Sequence, residues 1–368
     1  MRPFSLLVKP TSADCNIACD YCFYREKKNL YPTAARHRMS TEVLETMIKG
    51  YLATPQPSWT FGWQGGEPTL MGASFFETVL ELQKRHAPAG ASISNALQTN
   101  GTLLDDHFAQ VLKKGRFLVG ISVDGPAHLH DVHRRSMDGR GTHADVMRGL
   151  ETLRRNGVEH NVLTLVSKAN VDHPQEVYRY LRGLGLAYHQ YIPCVEFEAD
   201  GSFRPYSISG DEWGRFLNGI FDEWRKEDTH TVSVRNFDAV LSIMVHDAPV
   251  ICTTGTDCRQ YFVVEHNGDV YPCDFFVQPD MLLGNLQTDQ FAQMWHSPKY
   301  RTFGRSKKNW NEDCARCEYL RYCAGDCPKM RYAHGDDPTQ LSALCSGWKA
   351  FYSHTLPTFR ELAKEISR

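Results

Sequence analysis

Eleven of the chain's twelve cysteines fall into two groups, and that clustering constrains the fold more than any other feature. Three sit at Cys15, Cys19 and Cys22, spaced Cys-x3-Cys-x2-Cys. Eight lie between Cys252 and Cys345, and Cys194 stands alone. The first ten residues carry only Phe4 to Val8 as an apolar core, too short for a secretory signal. A cytoplasmic location is therefore expected, where thiols stay reduced and clustered cysteines read as metal ligands. Three thiolates on one short loop cannot complete a tetrahedral site. Either a distant ligand, such as one of the 16 histidines, completes a zinc site, or one iron of a cluster stays open for chemistry. Lys and Arg number 41 against 43 Asp and Glu, a net charge of −2, so no broad nucleic-acid surface is expected. No apolar run approaches the roughly 18 residues of a membrane span. Neither nucleic acid nor membrane is an expected partner.

With 368 residues there is ample length for a packed core. The first half alternates strand and helix patterns without a break. Strands are expected at Phe4–Lys9, Trp59–Trp63, Ser92–Gln98, Phe117–Ser122, His160–Val166 and Ala187–Ile192. Helices are expected between them, at Thr41–Leu52 (capped by Ser40 or Thr41), Phe75–His86, Asp105–Lys113, Ala144–Arg155 and Pro174–Leu184. Such alternation implies an α/β fold whose parallel sheet is covered by helices, with ligands at the carboxyl ends of the strands. The tract Gln64-Gly65-Gly66-Glu67-Pro68 falls at one such end. After Cys194 the alternation stops: helices are expected at Asp211–Lys226, Asn236–His246 and Ser346–Ile366. A hairpin is expected around Asn267-Gly268, joining Tyr261–Glu265 to Asp269–Tyr271. His128, His130 and His133 are expected in solvent, Arg25 to Arg38 reads as a solvated basic loop, and Cys194 reads as a buried apolar thiol.

The cysteine triad after a first strand, with Gly65-Gly66-Glu67-Pro68 after a second, resembles the radical S-adenosylmethionine superfamily. The resemblance implies a partial (β/α)6, TIM-like barrel. It implies that Cys15, Cys19 and Cys22 hold a 4Fe–4S cluster whose open iron is chelated by S-adenosylmethionine. Gly65, Gly66 and Glu67 would then meet the methionyl amine: glycines permit close backbone approach, and a carboxylate suits an ammonium. By the same resemblance the Tyr21 backbone would meet the adenine, Ser122 and Arg134 the ribose and carboxylate, and Val195 the adenine side.

The second group reads Cys258-x9-Gly268-x4-Cys273, then Cys314-x2-Cys317-x5-Cys323-x3-Cys327-x17-Cys345, with Cys252 ahead of it. Two zinc ribbons would satisfy eight thiols, as would two fully ligated iron–sulfur clusters. The spacing resembles the SPASM extension of peptide-modifying radical enzymes. That likeness implies one auxiliary cluster on Cys252, Cys258, Cys273 and Cys327, and another on Cys314, Cys317, Cys323 and Cys345. The total would be three 4Fe–4S clusters. The domains implied are a barrel over 1–195, a helical connection over 196–250, the SPASM domain over 251–347 and a closing helix over 348–368.

The tract Tyr271-Pro272-Cys273-Asp274-Phe275, with Leu6 to Pro10 and Leu97 to Gly101, resembles the anaerobic sulfatase-maturating enzymes. A lone Asp is by default a solvated loop residue, but one tethered beside a cluster ligand can take a proton from a substrate thiol or hydroxyl. The resemblance implies that Asp274 is the general base and that Tyr24 and Gln64 touch the substrate. The implied reaction is removal of a Cβ hydrogen from a Cys or Ser in an unfolded sulfatase segment by a 5′-deoxyadenosyl radical, ending in formylglycine. A flavodoxin or ferredoxin would supply electrons, and the chain would act as a monomer. One rival is a ribosomal-peptide maturase forming thioether or carbon–carbon crosslinks or epimerising a residue. Many of those carry a recognition domain ahead of the barrel, which fourteen residues before Cys15 leave no room for. Another is a non-catalytic redox sensor or zinc scaffold, which would need neither an open triad nor the glycine tract.

Overall fold

The computed structural model describes residues 1–32, 35–331, 337 and 339–367. Among the described residues ten strands follow in chain order: β1 (Ser5–Lys9), β2 (Ser58–Trp63), β3 (Ser92–Thr99), β4 (Leu118–Ser122), β5 (His160–Val166), β6 (Tyr188–Pro193), β7 (Ser233–Val234), β8 (Tyr261–Glu265), β9 (Asp269–Tyr271) and β10 (Gly284–Asn285). The six strands expected of the first half are all present as β1 to β6, and the structure divides into two compact units.

The first unit comprises residues 1–122, 135–160 and 259–304. Its strands run in the order β10-β9-β8-β1-β2-β3-β4. β1, β2, β3 and β4 pair in parallel, as crossover helices require. Those helices begin where capping chemistry says they should: Ser40 accepts a hydrogen bond from the Val43 amide at 3.2 Å, and Asp105 one from Phe108 at 2.7 Å. The hairpin about Asn267-Gly268 forms as expected, with Val263 opposite Tyr271. The sequence did not show where it would go. β8 lies parallel to β1 along its whole length, from Ser5 beside Tyr261 to Lys9 beside Glu265. β1 therefore has partners on both edges and is buried on alternate residues, Leu6 and Val8 being fully covered. At its base, Phe4 packs against Tyr51, Phe262 and Trp295 at ring separations of 5.1–5.5 Å.

The second unit comprises residues 123–134, 161–258 and 305–368. β5, β6 and the two-residue β7 pair in parallel. Helices Gly210–Glu227 and Cys345–Ile366 pack so closely that a Cβ on Gly347 would stand 2.0 Å from the Gly210 carbonyl oxygen. Trp213, Phe221, Trp348 and Phe359 fill in around that contact. Cys194 is buried here, as expected.

Two expectations are corrected. His130 is fully buried, and its Nδ1 accepts from the Asp124 amide at 3.2 Å, so a helix turn over Ala127–His130 rather than a solvated loop carries it. The basic stretch from Arg25 begins as a 3-10 helix, Arg25–Leu30, and ends with His37 buried against Asp14. Arg25, Glu26, Lys28 and Arg36 are exposed as expected, and the departure is His37, which Asp14 takes together with the half-buried Arg38.

The helix pair of the second unit depends on absent side chains. Replacing Gly347 by Ala forces the helices apart and should cost about 1–3 kcal/mol of overpacking. Chemical denaturation measures it, and an unchanged midpoint contradicts the packing described.

Candidate functional site

β1 runs into a tight turn that delivers the first three cysteines. The Ser12 amide donates to Lys9 O at 3.1 Å and the Asp14 amide to Thr11 O at 2.9 Å. The glycine tract after β2 docks directly onto this turn. Gly66 N donates to Ser12 O at 2.7 Å and Glu67 N to Asp14 O at 2.8 Å. A Cβ on Gly65 would meet Ser12 O at 2.7 Å, and one on Gly66 would meet Asp14 O at 2.0 Å. Gly65 also holds φ at +142°, a backbone region closed to other residues. The two glycines thus seat the cysteine loop as well as leaving backbone open to a ligand.

Glu67, expected to face an ammonium, is fully buried. Its Oε1 accepts from the Thr69 amide and hydroxyl and the Thr99 hydroxyl at 2.6–3.0 Å, and its Oε2 accepts from the Asn100 amide at 2.8 Å. Burial pushes the carboxyl above its ordinary range, and those donors pull it back. The side chain ties the ends of β2 and β3 together. Asn100 continues the network, with Nδ2 2.9 Å from Asn16 Oδ1 and 3.8 Å from Cys15 Sγ. Burial, then the Glu67 charge, push the Cys15 thiol up to about 12. An exposed cysteine would be far easier to ionise; this one needs a bound cation to become a thiolate.

Asp274 follows β9 and is almost buried. Its Oδ1 accepts from the Tyr261 hydroxyl at 3.0 Å, and its Oδ2 accepts from Gln64 Nε2 at 3.1 Å. Lys9 Nζ stands 3.8 Å from Oδ2, completely buried, and 4.4 Å above the Tyr24 ring. Burial lowers the Lys9 pKa, while Asp274 and then Glu265 pull it upward. Tyr24, expected to touch the substrate, is itself buried and donates to Glu265 Oε1 at 2.5 Å. It forms the wall behind the Lys9–Asp274 pair. Phe23 packs on Phe275 at 4.8 Å, and Cys22 lies in the same apolar cluster as Tyr261. The triad loop, Gln64 and Asp274 are therefore one locus, as the sequence proposed. Lys9, Tyr261 and Glu265 were missed. The one available signal was a lysine ending an apolar strand, six residues before the first cysteine.

In the second unit Cys314, Cys317, Cys323 and Cys345 line one cavity. Cys252, Cys258 and Cys327 are near enough to one another that each thiolate disfavours the next. Burial pushes Cys258 up to about 11 and Cys327 up to about 12. Among the described residues, no three His, Cys, Asp or Glu side chains gather tightly enough for a single metal ion. Cysteine thiolates are the ligands that iron–sulfur clusters take, and two sets of them are brought together here. The donor set fits clusters. Cys273, the remaining cysteine of the group, belongs to the first unit with Asp274.

The remaining candidates sit as follows. Tyr21 is buried within the triad loop, and Ser122 is buried at the end of β4. In the second unit Arg134 pairs with Asp124 at 2.8 Å, whose Oδ1 accepts from Leu165 N. Val195 is buried there, and its carbonyl oxygen accepts from Lys329 Nζ at 2.6 Å.

Comparison with known proteins agrees with this geometry. The radical SAM superfamily matches residues 10–181, and an iron–sulfur cluster-binding domain matches residues 252–318. A serine-type anaerobic sulfatase-maturating enzyme of Bacteroides thetaiotaomicron is 36% identical, over 99% of this chain and 92% of the relative. A cysteine-type enzyme of Clostridium perfringens is 35% identical, over the whole of both chains. A solved structure, native anSMEcpe with bound AdoMet and a Cp18Cys peptide, superposes with a TM-score of 0.93 at 35% identity, over 99% of each chain. The α/β fold with its cysteine-rich extension is the fold of that structure. SuiB of Streptococcus suis, at 15% identity and a TM-score of 0.66, shares the fold alone.

A methyl group on Gly66 cannot fit against Asp14. Gly66→Ala should therefore displace the triad loop and remove about four irons per chain, one cluster's worth, leaving the second group loaded. Iron analysis after anaerobic reconstitution checks this, and full loading would show that the loop tolerates the change.

Proposed function

We propose that this chain, which belongs to the anaerobic sulfatase-maturating enzymes, oxidises Cβ of a Cys or Ser in an unfolded sulfatase segment to give formylglycine. Its cofactors are iron–sulfur clusters and S-adenosylmethionine. The count proposed is three 4Fe–4S clusters, on the triad and on the two auxiliary sets given above. The Asp274 locus carries the reading: a carboxylate fixed by Tyr261 and Gln64, paired with a buried ammonium, on the residue after a cluster cysteine. Proposed alongside it are contacts of Tyr21, Gly65, Gly66, Glu67, Ser122, Arg134 and Val195 with S-adenosylmethionine. Also proposed are the division at residues 195, 250 and 347, a flavodoxin or ferredoxin as donor, a monomeric state and a cytoplasmic site of action. No helix among the described residues is long and apolar enough to cross a membrane.

When bound and reduced, these cofactors supply a 5′-deoxyadenosyl radical that removes the Cβ hydrogen, and an acceptor for the electron left behind. The chain's own residues do the rest. Asp274 accepts the thiol or hydroxyl proton on a carboxylate oxygen. Gln64 and Tyr261 each donate to one oxygen of it, which fixes the plane of the carboxylate before substrate arrives. Lys9 compensates the carboxylate charge from the protein side, where no water can do so. Phe23, Phe275 and the buried Tyr24 keep the pocket wall apolar and dry. A Cys substrate gives a thioaldehyde, which water converts to the aldehyde with loss of sulfide; a Ser substrate gives the aldehyde directly. Near-equal identity to serine-type and cysteine-type relatives favours neither residue.

Asp274→Asn keeps the shape and removes the base. Product should fall by roughly 10²–10⁴-fold while 5′-deoxyadenosine still forms. Both are measured in one anaerobic assay, and unchanged product removes Asp274 from the reaction. Replacing Cys15, Cys19 and Cys22 together by Ala should instead abolish 5′-deoxyadenosine, and its persistence would place radical formation elsewhere.

A further inference from the structure

Lys307 is completely buried in the second unit. Its Nζ donates to the carbonyl oxygens of Cys252 at 2.9 Å and Thr253 at 2.7 Å. Among the described residues no carboxylate pairs with it. An ammonium taken out of water without a counter-charge is expensive, and two carbonyl dipoles do not supply one. One of those carbonyls belongs to Cys252, a member of the first cysteine set. Lys307 draws the thiols of both Cys258 and Cys327 toward their anionic forms. The other charged groups facing these thiols are Arg331, Asp257 and Asp326. Arg331 is buried, with its guanidinium spread over the carbonyls of Gly325, Lys307 and Asp326 at 2.8–3.2 Å, so it also holds the Lys307 backbone in place. Asp326 opposes Lys307 at Cys327 and also acts on Cys323 of the other set. Both cysteine sets of this unit thus meet fixed charge of both signs, and Lys307 is the buried ammonium hydrogen-bonded at Cys252 of the first.

We infer that Lys307 is the counter-ion of the cluster held by Cys252, Cys258 and Cys327, and that it raises that cluster's reduction potential. This rests on the auxiliary-cluster reading above. Iron-bound cysteines are thiolates, so the ligands themselves supply the missing negative charge. One-electron reduction adds another. A fixed positive charge in a low-dielectric site stabilises the reduced form more than the oxidised one. After the substrate has lost a hydrogen atom to the radical and a proton to Asp274, one electron remains on it. A cluster held by these cysteines would accept that electron, being reduced by one unit, and would return it to a one-electron carrier protein. Lys307 makes the first transfer more favourable. It is a positioning residue for charge and touches none of the reacting atoms named above.

The test is a potentiometric titration followed by electron paramagnetic resonance, with iron counted on the same samples of reconstituted wild type, Lys307→Met and Lys307→Arg. Lys307→Met should lower the equilibrium constant for reducing one auxiliary cluster on the order of tenfold, which is about 59 mV for a one-electron couple. Lys307→Arg, which keeps the charge, should stay near wild type. If Lys307→Met loses about four irons while Lys307→Arg keeps them, the charge is needed to hold the cluster at all, and the inference stands. Unchanged potentials in Lys307→Met overturn it, as does a Lys307→Arg that falls or loses iron as far as Lys307→Met, since shape rather than charge would then matter. A wild type that holds only about four irons instead removes the auxiliary clusters, and the inference with them.

Discussion

β1 is hydrogen-bonded along both edges, and the candidate site follows from that. On one side it pairs with β2, whose end carries the Gly65-Gly66-Glu67 turn; on the other it pairs with β8, whose hairpin partner leads into Cys273 and Asp274. Its own end leads through Lys9 into the cysteine triad. Three chain segments up to 265 residues apart in sequence (Lys9 and Asp274 at the extremes) thus reach one locus because one strand fixes the register of its two neighbours. A slip of one residue would turn Lys9 to the opposite face and separate it from Asp274.

Buried charge is the second theme of the molecule. Glu67, Glu265, Asp274, Lys9 and Lys307 are all buried or nearly so. None is an isolated ion: Glu67 is held by four donors, Glu265 by Tyr24, and Asp274 by Gln64, Tyr261 and Lys9. Such groups are costly to bury and offer little net stability over well-packed apolar residues. What they provide is fixed polarity where protons and electrons must move without solvent. Lys307, by contrast, is held by two backbone carbonyls, those of Cys252 and Thr253.

Much of this was legible in the chain itself. Six strands with helices between them could be read because parallel strands and amphipathic helices leave different periodicities. The two cysteine groups stood out by their spacing, while the roles proposed for the glycine tract and Asp274 come from the family resemblance. The position of the β8–β9 hairpin could not be read, since pairing partners in a sheet leave no local signal. Lys9 and Lys307 were invisible for a related reason: a lysine reads as solvent-facing until tertiary structure covers it. His130 was misjudged in the same way. The hydrogen bonds that hold Glu67, from Thr69, Thr99 and Asn100, left no sign in the sequence either.

The central claim is that this site oxidises a single peptide Cβ. Reduced enzyme, S-adenosylmethionine and a synthetic peptide with a Cys-x-Pro-x-Arg core give the most direct test, read by the mass of the peptide. The account predicts that sulfur and two hydrogens are lost and one oxygen is gained, with 5′-deoxyadenosine formed alongside. A peptide that loses two hydrogens but keeps its sulfur would instead indicate a crosslinking maturase, and a peptide of unchanged mass while 5′-deoxyadenosine accumulates would contradict the claim.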